Sequence, residues 1–435
     1  MRARFSSTFQ SLHVRNFRLF AIGLLIRSLG VWMMFIAQDW LVLDLSNNSA
    51  TALGVVTALQ FVPVLLLTLL SGRLADRYDK RLLLFIANGA WAVLSLIMAV
   101  LVLTGVAQLW HIFVFAGLLG IATAIENPVR QAFASEMVGV TLLPNALALS
   151  AATFNTARVV GPAVAGVGIA LLDVGPIFLI SALAALAPLF CLTRMRTAEL
   201  HRENLPPLAE RASARVVDGL RYVWRRPDLI LPMALVSIIG MAAFNFQLTL
   251  AALAKTVFHT GAASFGLFTT ALAVGALAGA LAGGSRRARP SVYVVILAGI
   301  VFGMFAVLVG VASAYWLVVV LLVPTGFFMI FFAQACNQRI QLGTDAAYRG
   351  RVMALWVLLF LGTNPVAAPV VGWVAEHFGA GTSIWLGGAI SLTASMVALF
   401  WQLRRSDSRL RVRLRPHVRL QVVPSAAGMG AVDRA

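Results

Sequence analysis

ATALGVVTALQFVPVLLLTLLSGRLADRYDKRLLLFIANGAWAVLSLIMAVLVLT, residues 50–104, is the stretch that decides the fold. Two apolar runs flank a short turn crowded with Arg73, Arg77, Lys80 and Arg81. Each run is about 20 residues long, which at 1.5 Å of rise per residue crosses about 30 Å of hydrocarbon. A run of that length without a charge has no place on a water-facing helix, so the segment reads as two membrane-spanning helices joined by a basic turn.

Working outward, the same unit recurs. Apolar runs lie near 17–43, 50–71, 82–104, 109–131, 142–172 and 174–193, and again near 229–256, 262–284, 291–311, 313–338, 350–375 and 381–403. The expected fold class is therefore an all-α membrane protein of about twelve transmembrane helices in two six-helix bundles. Residues 1–16 form an N-terminal segment, 17–193 the first bundle, 194–228 a linker, 229–403 the second bundle and 404–435 a basic tail. A weak internal repeat makes the bundles pseudo-symmetric: Asn127-Pro-Val-Arg-Gln131 precedes the fifth span as Asn337-Gln-Arg-Ile-Gln341 precedes the eleventh. Gly161-Pro162 and Ala368-Pro369 follow at similar distances.

Composition agrees. Hydrophobic residues make up 60% of the 435 and charged residues only 11%, too few to cover a soluble surface. The net charge of +18 would suggest nucleic acid in a soluble chain, but here the cations sit between apolar runs and no basic face with interleaved aromatics remains. They follow the even-numbered spans: Arg73, Arg77, Lys80 and Arg81 after the second, Arg130 after the fourth, and Arg286, Arg287 and Arg289 after the eighth. More stand in the N-terminus (Arg2, Arg4, Arg15, Arg18) and the tail (Arg404, Arg405, Arg409, Arg411). Basic loops stay on the cytoplasmic side, so both termini are expected in the cytoplasm of a cell membrane, the inner one in a two-membrane cell. The first run is too long for a signal-peptide core and is expected to remain as an anchor. In the linker, Val216, Val217, Leu220, Val223 and Trp224 fall at helical spacing opposite Arg215, Arg221, Arg225 and Arg226, which reads as an amphipathic surface helix. The tail alternates Arg with Leu and Val before ending in small residues, and disorder or contact with anionic lipid is expected there.

Neither cysteine, Cys191 or Cys336, lies outside an apolar run, and the six histidines are scattered, so no disulfide framework, metal site or cofactor is expected. With no phosphate-binding glycine loop or nucleophile elbow, an ATP-driven pump or an enzyme is not indicated. Ionisable groups inside spans are costly and mark function. Four stand out. Arg27 lies about 15 Å into the first span and Arg158 is similarly central in the fifth. The carboxylates Glu126 and Asp39 are available to them, and Glu126 paired with Arg158 or Arg27 is the first candidate for a protonation-sensitive network, with Asp39 second. The amides Asn155, Asn245, Gln247, Gln334 and Asn337, with Phe244, Phe246, Phe331 and Phe332, are candidates for a cavity wall.

The turn Gly72-Arg-Leu-Ala-Asp76-Arg77-Tyr-Asp-Lys80-Arg81, with Leu84, resembles the signature loop of the major facilitator superfamily, Gly-x-Leu-Ala-Asp-Arg-x-Gly-Arg-Arg/Lys-x-x-Leu; Asp79 replaces the second glycine. The resemblance implies that superfamily's fold and a conformational latch built on Gly72, Asp76, Arg77, Lys80 and Arg81. Gly161-Pro162-Ala-Val-Ala-Gly166 resembles the Gly-Pro-x-x-Gly-Gly element of the antiporter branch, with Ala165 for one glycine, which implies export. Arg15-Asn-Phe-Arg18, Gln38-Asp-Trp40, Asn127-Pro-Val-Arg-Gln-Ala-Phe133 and Asn155-Thr-Ala-Arg158 resemble the enterobactin-exporter-like branch. Ala116 stands where many proton-coupled drug antiporters carry an arginine, and the loop after the eighth span lacks the acidic residue of the repeated signature. The expected function is a proton-coupled exporter of a small amphiphilic molecule, such as a drug, siderophore or other metabolite, working as a monomer by alternating access. An uncoupled facilitator, an uptake permease and a lipid-handling protein without transport are the alternatives.

Overall fold

The computed structural model describes residues 10–201, 216–284, 288–345, 348–405, 408–413 and 419–424. Side chains at 68–70, 72–73, 75–76, 140, 216–219, 361 and 405 and in two short tail strands fall outside that description. Among the described residues, twelve helices are long and apolar enough to cross a membrane. They are α1 Arg15–Leu45, α2 Ala50–Arg77, α3 Lys80–Leu103, α4 Leu109–Gly139, α5 Thr141–Leu172, α6 Val174–Thr193, α7 Pro227–Val257, α8 Ala262–Gly284, α9 Val292–Val311, α10 Tyr315–Gly343, α11 Arg349–Phe378 and α12 Ala380–Arg404. Their outward faces carry Leu66, Leu171, Leu281 and Val320, each more than 60% exposed, as expected of side chains that meet lipid. The protein is a multi-pass membrane protein.

Helices end where local chemistry stops them. Asp79 caps α3, its Oδ1 accepting from the N–H groups of Arg81 (2.8 Å) and Leu82 (3.2 Å), a helix-start role the superfamily's glycine cannot fill. Gly139, at φ +68°, makes the sharp turn between α4 and α5, a conformation an L side chain rarely adopts. α4 extends well past the expected end near 131, so Asn127–Gln131 lies inside it; over the extension Phe133, Ala134, Met137 and Val138 bury one helical face in a core shared with Phe17, Phe20 and Leu84. α10 runs past 338 to Gly343, and its last turns are tied to the α8–α9 connection, where Arg339 donates from Nη1 to the Pro290 carbonyl.

Within the first half, α1 packs on α4, α5 and α6, and α3 on α6; within the second, α8 packs on α10 and α9 on α12. Two seams join the halves, α2 against α11 and α5 against α8. A shift of six helices turns one seam into the other, which gives the pseudo-twofold relation foreshadowed by the repeat. Both termini of the bundle and the linker lie at one end, called the linker end here. Asn16 clasps α1 to the linker there, donating to the Arg196 carbonyl (2.9 Å) and accepting from the Arg196 N–H (3.0 Å).

The surface helix of the linker, Val216–Trp224, is tied to the second half. Tyr222 stacks on Tyr348 at 4.4 Å and donates to Asp345 (3.0 Å). Arg226 pairs with Asp228, which also accepts from Arg289 (2.8 Å). That hydrogen bond from Arg226 to Asp228 holds its guanidinium above the ordinary arginine range. The face that docks is Val223 and Tyr222, whereas Leu220 and Trp224 are exposed, so the apolar stripe read from spacing is only partly covered. In the tail, where disorder or contact with anionic lipid is expected, Ser408–Arg413 and Arg419–Pro424 pair antiparallel, with Leu410 opposite Val422 and Val412 opposite Leu420. Residues 1–9 and 202–215 and the loop arginines Arg286 and Arg287 lie outside the described residues.

Candidate functional site

Between the halves lies a cavity of about 770 Å³. The first half supplies most of its wall through α1, α2, α4 and α5; the second contributes α7 residues Phe244, Asn245, Gln247 and Leu248, and Asn364 of α11. Both contributing segments are helix breaks. α7 stops at Ala243 and resumes at Phe246, and α11 stops at Leu361 and resumes at Asn364. Interrupted backbone at membrane depth is tolerable where it borders a cavity that hydrates it.

The cavity is closed at the end away from the linker. Lys255 of α7 pairs with Asp44 of α1, and Glu376 of α11 accepts from Ser49 Oγ (2.6 Å) and the Thr51 N–H (2.8 Å). In the α5/α8 seam, a Cβ on Gly266 would stand 2.5 Å from the Pro162 carbonyl, and one on Gly166 would stand 2.9 Å from the Ala262 carbonyl. Gly161 meets α1 instead, where a Cβ would be 2.5 Å from Trp32 Cβ. Pro162 and Gly166 therefore pack closely in the α5/α8 seam between the halves, whereas Gly161 packs α5 on α1 within the first half. The hydrogen bonds and ion pairs described between the halves all lie from mid-depth to this end, so the cavity opens toward the linker.

Toward the open end, Glu126 is 3% exposed and stands 3.6 Å from Arg27 Nη1 and 2.9 Å from Arg130 Nε. Arg27 is also nearly buried and lies 5.0 Å from the centre of the Trp91 ring, a cation–π contact that partly replaces lost hydration. Neither Arg27 Nε nor Arg130 Nε finds a hydrogen-bond acceptor; the Arg130 contact with Glu126 is coulombic and off the N–H direction. Arg158, the alternative partner, is elsewhere: half-buried, 5.7 Å from the Trp32 ring centre and outside the cavity wall, with no carboxylate within ion-pair distance among the described residues.

At the closed end, Asp39 is 5% exposed and lines the cavity. Its Oδ2 accepts from Gln247 Nε2 at 2.7 Å, a bond that crosses from α1 to α7 and so joins the halves. No cation stands within ion-pair distance of Asp39 among the described residues. Gln60 donates to Gln38 beside it (3.2 Å). Between the two charged sites the wall is aromatic, with Trp32, Phe35, Phe61, Phe154 and Phe244.

Of the amides expected in the wall, Asn155, Asn245 and Gln247 are present. Gln334 and Asn337 are not, because that face of α10 packs on α8, with Gln334 Cβ against Gly283. Phe246 and Phe332 are buried in the second-half core rather than exposed to the cavity, and Phe331 stacks on Phe327. Trp32, Gln60, Arg130 and Asn364 were not singled out from sequence; only Arg130 carried a readable signal, its i,i+4 spacing from Glu126. In the signature loop, the side chain of Asp76 and the place of Gly72 fall outside the described side chains. Arg77 is exposed, Lys80 donates to Glu136 (2.5 Å), and Arg81 Nε donates to the Leu192 carbonyl (2.9 Å), all within the first half. Among the described residues no group of three or more His, Cys, Asp or Glu is placed to hold a metal.

Comparison with known proteins fits this geometry. The profile of a family described as "Transmembrane secretion effector" matches residues 6–429. The staphyloferrin A transporter of Staphylococcus aureus (strain NCTC 8325 / PS 47) is 30% identical over 255 residues, 57% of this chain and 62% of that protein, so the match spans less than two thirds of that relative. The multidrug efflux pump Tap of Mycolicibacterium fortuitum is 25% identical over 393 residues, 87% of this chain and 94% of Tap. Among solved structures, a mutant of the nucleoside transporter NupG superposes with a TM-score of 0.69 at 12% identity, covering 88% of this chain and 99% of that one. The D-xylose-proton symporter gives 0.67 at 15% identity, covering 88% and 97%. At such identities these structures show the fold alone.

Proposed function

We propose that this chain, which belongs to the transmembrane secretion effector family of the major facilitator superfamily and is a membrane transporter rather than an enzyme, exports a small amphiphilic molecule in exchange for protons by alternating access. The observation that carries the proposal is the Asp39–Gln247 hydrogen bond at the sealed end of the cavity. Asp39 is a buried carboxylate that faces the cavity, has no cation beside it among the described residues and is bonded across the two halves. Protonation removes its charge without stranding a partner. Neutralising Glu126 would instead leave Arg27 and Arg130 uncompensated, so Asp39 takes the carrier role and Glu126 serves as counter-ion. The sealed end faces outward and the linker end, with both termini, faces the cytoplasm of the cell membrane. Asp76 at the end of α2, close in sequence to the Arg77 turn, is the proposed latch of the opposite state.

Of the relatives, one is named a multidrug efflux pump and one a staphyloferrin A transporter; the aromatic wall of this cavity suits a small molecule with an apolar part. The test is efflux of a fluorescent amphiphile from loaded cells in the presence of nigericin, which collapses ΔpH. Export that stops with ΔpH in wild type, and that Asp39→Asn abolishes under both conditions, supports coupling; export indifferent to nigericin supports a facilitator.

A further inference from the structure

The charges around the open part of the cavity do not balance. Arg27 and Arg130 bring two positive charges and Glu126 one negative, so the cluster carries a net charge of +1 in a site where Arg27 and Glu126 are both less than a tenth exposed. Asp39 does not correct this: it lies three to four turns along α1, about 18 Å away, and is engaged by Gln247. Donors are in surplus as well. Two guanidiniums offer ten N–H groups, against which the described acceptors are Glu126 Oε1 and Asn127 Oδ1, the latter 3.2 Å from Arg130 Nη2. An uncompensated cation at this depth is expensive, and a fixed protein charge that neutralised it would have removed the cost. None is there.

We propose that the Arg27–Glu126–Arg130 cluster is the anion subsite of the transport cavity and that the substrate is an amphiphile bearing a carboxylate. The proposal rests on the reading of this cavity as the transport site and supplies its substrate class. The substrate carboxylate lies against the two arginines toward the open end, as guanidinium forks pair well with planar carboxylates. Its apolar body extends toward Trp32, Phe61, Phe154 and Phe244. A cationic amphiphile meets a net positive charge at the same place and is disfavoured. Glu126 sets the strength: it lowers the cluster from two charges to one, so that an anion binds and still leaves.

The experiment is calorimetric titration of the purified chain in lipid nanodiscs with three probes of one shape: 1-naphthaleneacetate, its neutral amide 1-naphthaleneacetamide, and cationic 1-(1-naphthyl)ethylamine. The acetate is expected to bind at least tenfold tighter than the amide and the amine weakest. Arg27→Gln and Arg130→Gln should each bring the acetate to within about threefold of the amide while leaving amide binding in place, which shows that the cavity is intact. Glu126→Gln should tighten the acetate severalfold without changing the amide, a gain that misfolding does not produce. Equal affinities for acetate and amide in the wild type, a preference for the amine, a preference surviving in the Arg27→Gln/Arg130→Gln double variant, or no binding of any probe would each overturn the subsite. Because no step needs a proton gradient, these results are independent of whether export is proton-coupled.

Discussion

Gly266→Val should unlock the far end of the cavity. The added Cβ would stand 2.5 Å from the Pro162 carbonyl oxygen and 3.0 Å from Gly166 Cα, both backbone atoms that cannot turn aside. α5 and α8 must therefore part, and overpacking of this kind costs about 1–3 kcal/mol. The cost falls only on the state in which the seam is closed, so at 1.4 kcal/mol per tenfold it shifts the conformational balance by about 5- to 150-fold toward the state open at this end. Spin labels on cysteines at Val106 and Gly261, exposed loop positions on the two halves, report the gap by pulsed electron resonance once buried Cys191 and Cys336 are replaced by Ala. The long-distance component should grow in Gly266→Val and stay put in Gly117→Val, where a Cβ meets nothing within 4 Å. A folded Gly266→Val protein with an unchanged distance distribution would refute the idea that this glycine contact holds the end shut.

Other outcomes follow from the same contacts. Glu126→Gln leaves two arginines facing one another and should lower stability by up to about 3–5 kcal/mol; thermal unfolding in detergent should show part of the loss restored by adding Arg27→Gln, and absence of that rescue would mean the pair is not coupled. A cysteine at exposed Arg77 should react with membrane-impermeant maleimide only from the cytoplasmic side and one at Gly261 only from outside; the reverse pattern would invert the proposed orientation.

Most of the architecture was legible because hydrocarbon imposes one demand on every span, a long apolar run, and that demand is visible residue by residue. The ends of spans were less so. Hydropathy ends α4 near Gln131, but the helix continues to Gly139, its Phe133, Ala134, Met137 and Val138 buried against α1 and α3. Cost alone marks Arg27, Asp39, Glu126 and Arg158 as candidates, whereas partner choice depends on helix rotation and long-range packing, which spacing does not encode. Thus Arg158 proves to be set against Trp32 rather than Glu126, and the face of α10 bearing Gln334 turns toward Gly283 instead of the cavity. The break in α7 at Asn245 and the bond from Gln247 to Asp39 had no sequence signal beyond polar residues in an apolar run.

Lumenal pH in everted membrane vesicles tests the central claim most directly. With the lumen acidified, compounds that cells lacking the protein retain should, when added outside, raise lumenal pH as they enter in exchange for protons. Vesicles carrying Asp39→Asn should show no such rise while still binding the compound. A compound that enters wild-type vesicles without any change in lumenal pH, or an Asp39→Asn protein that alkalinises the lumen as the wild type does, would contradict the account.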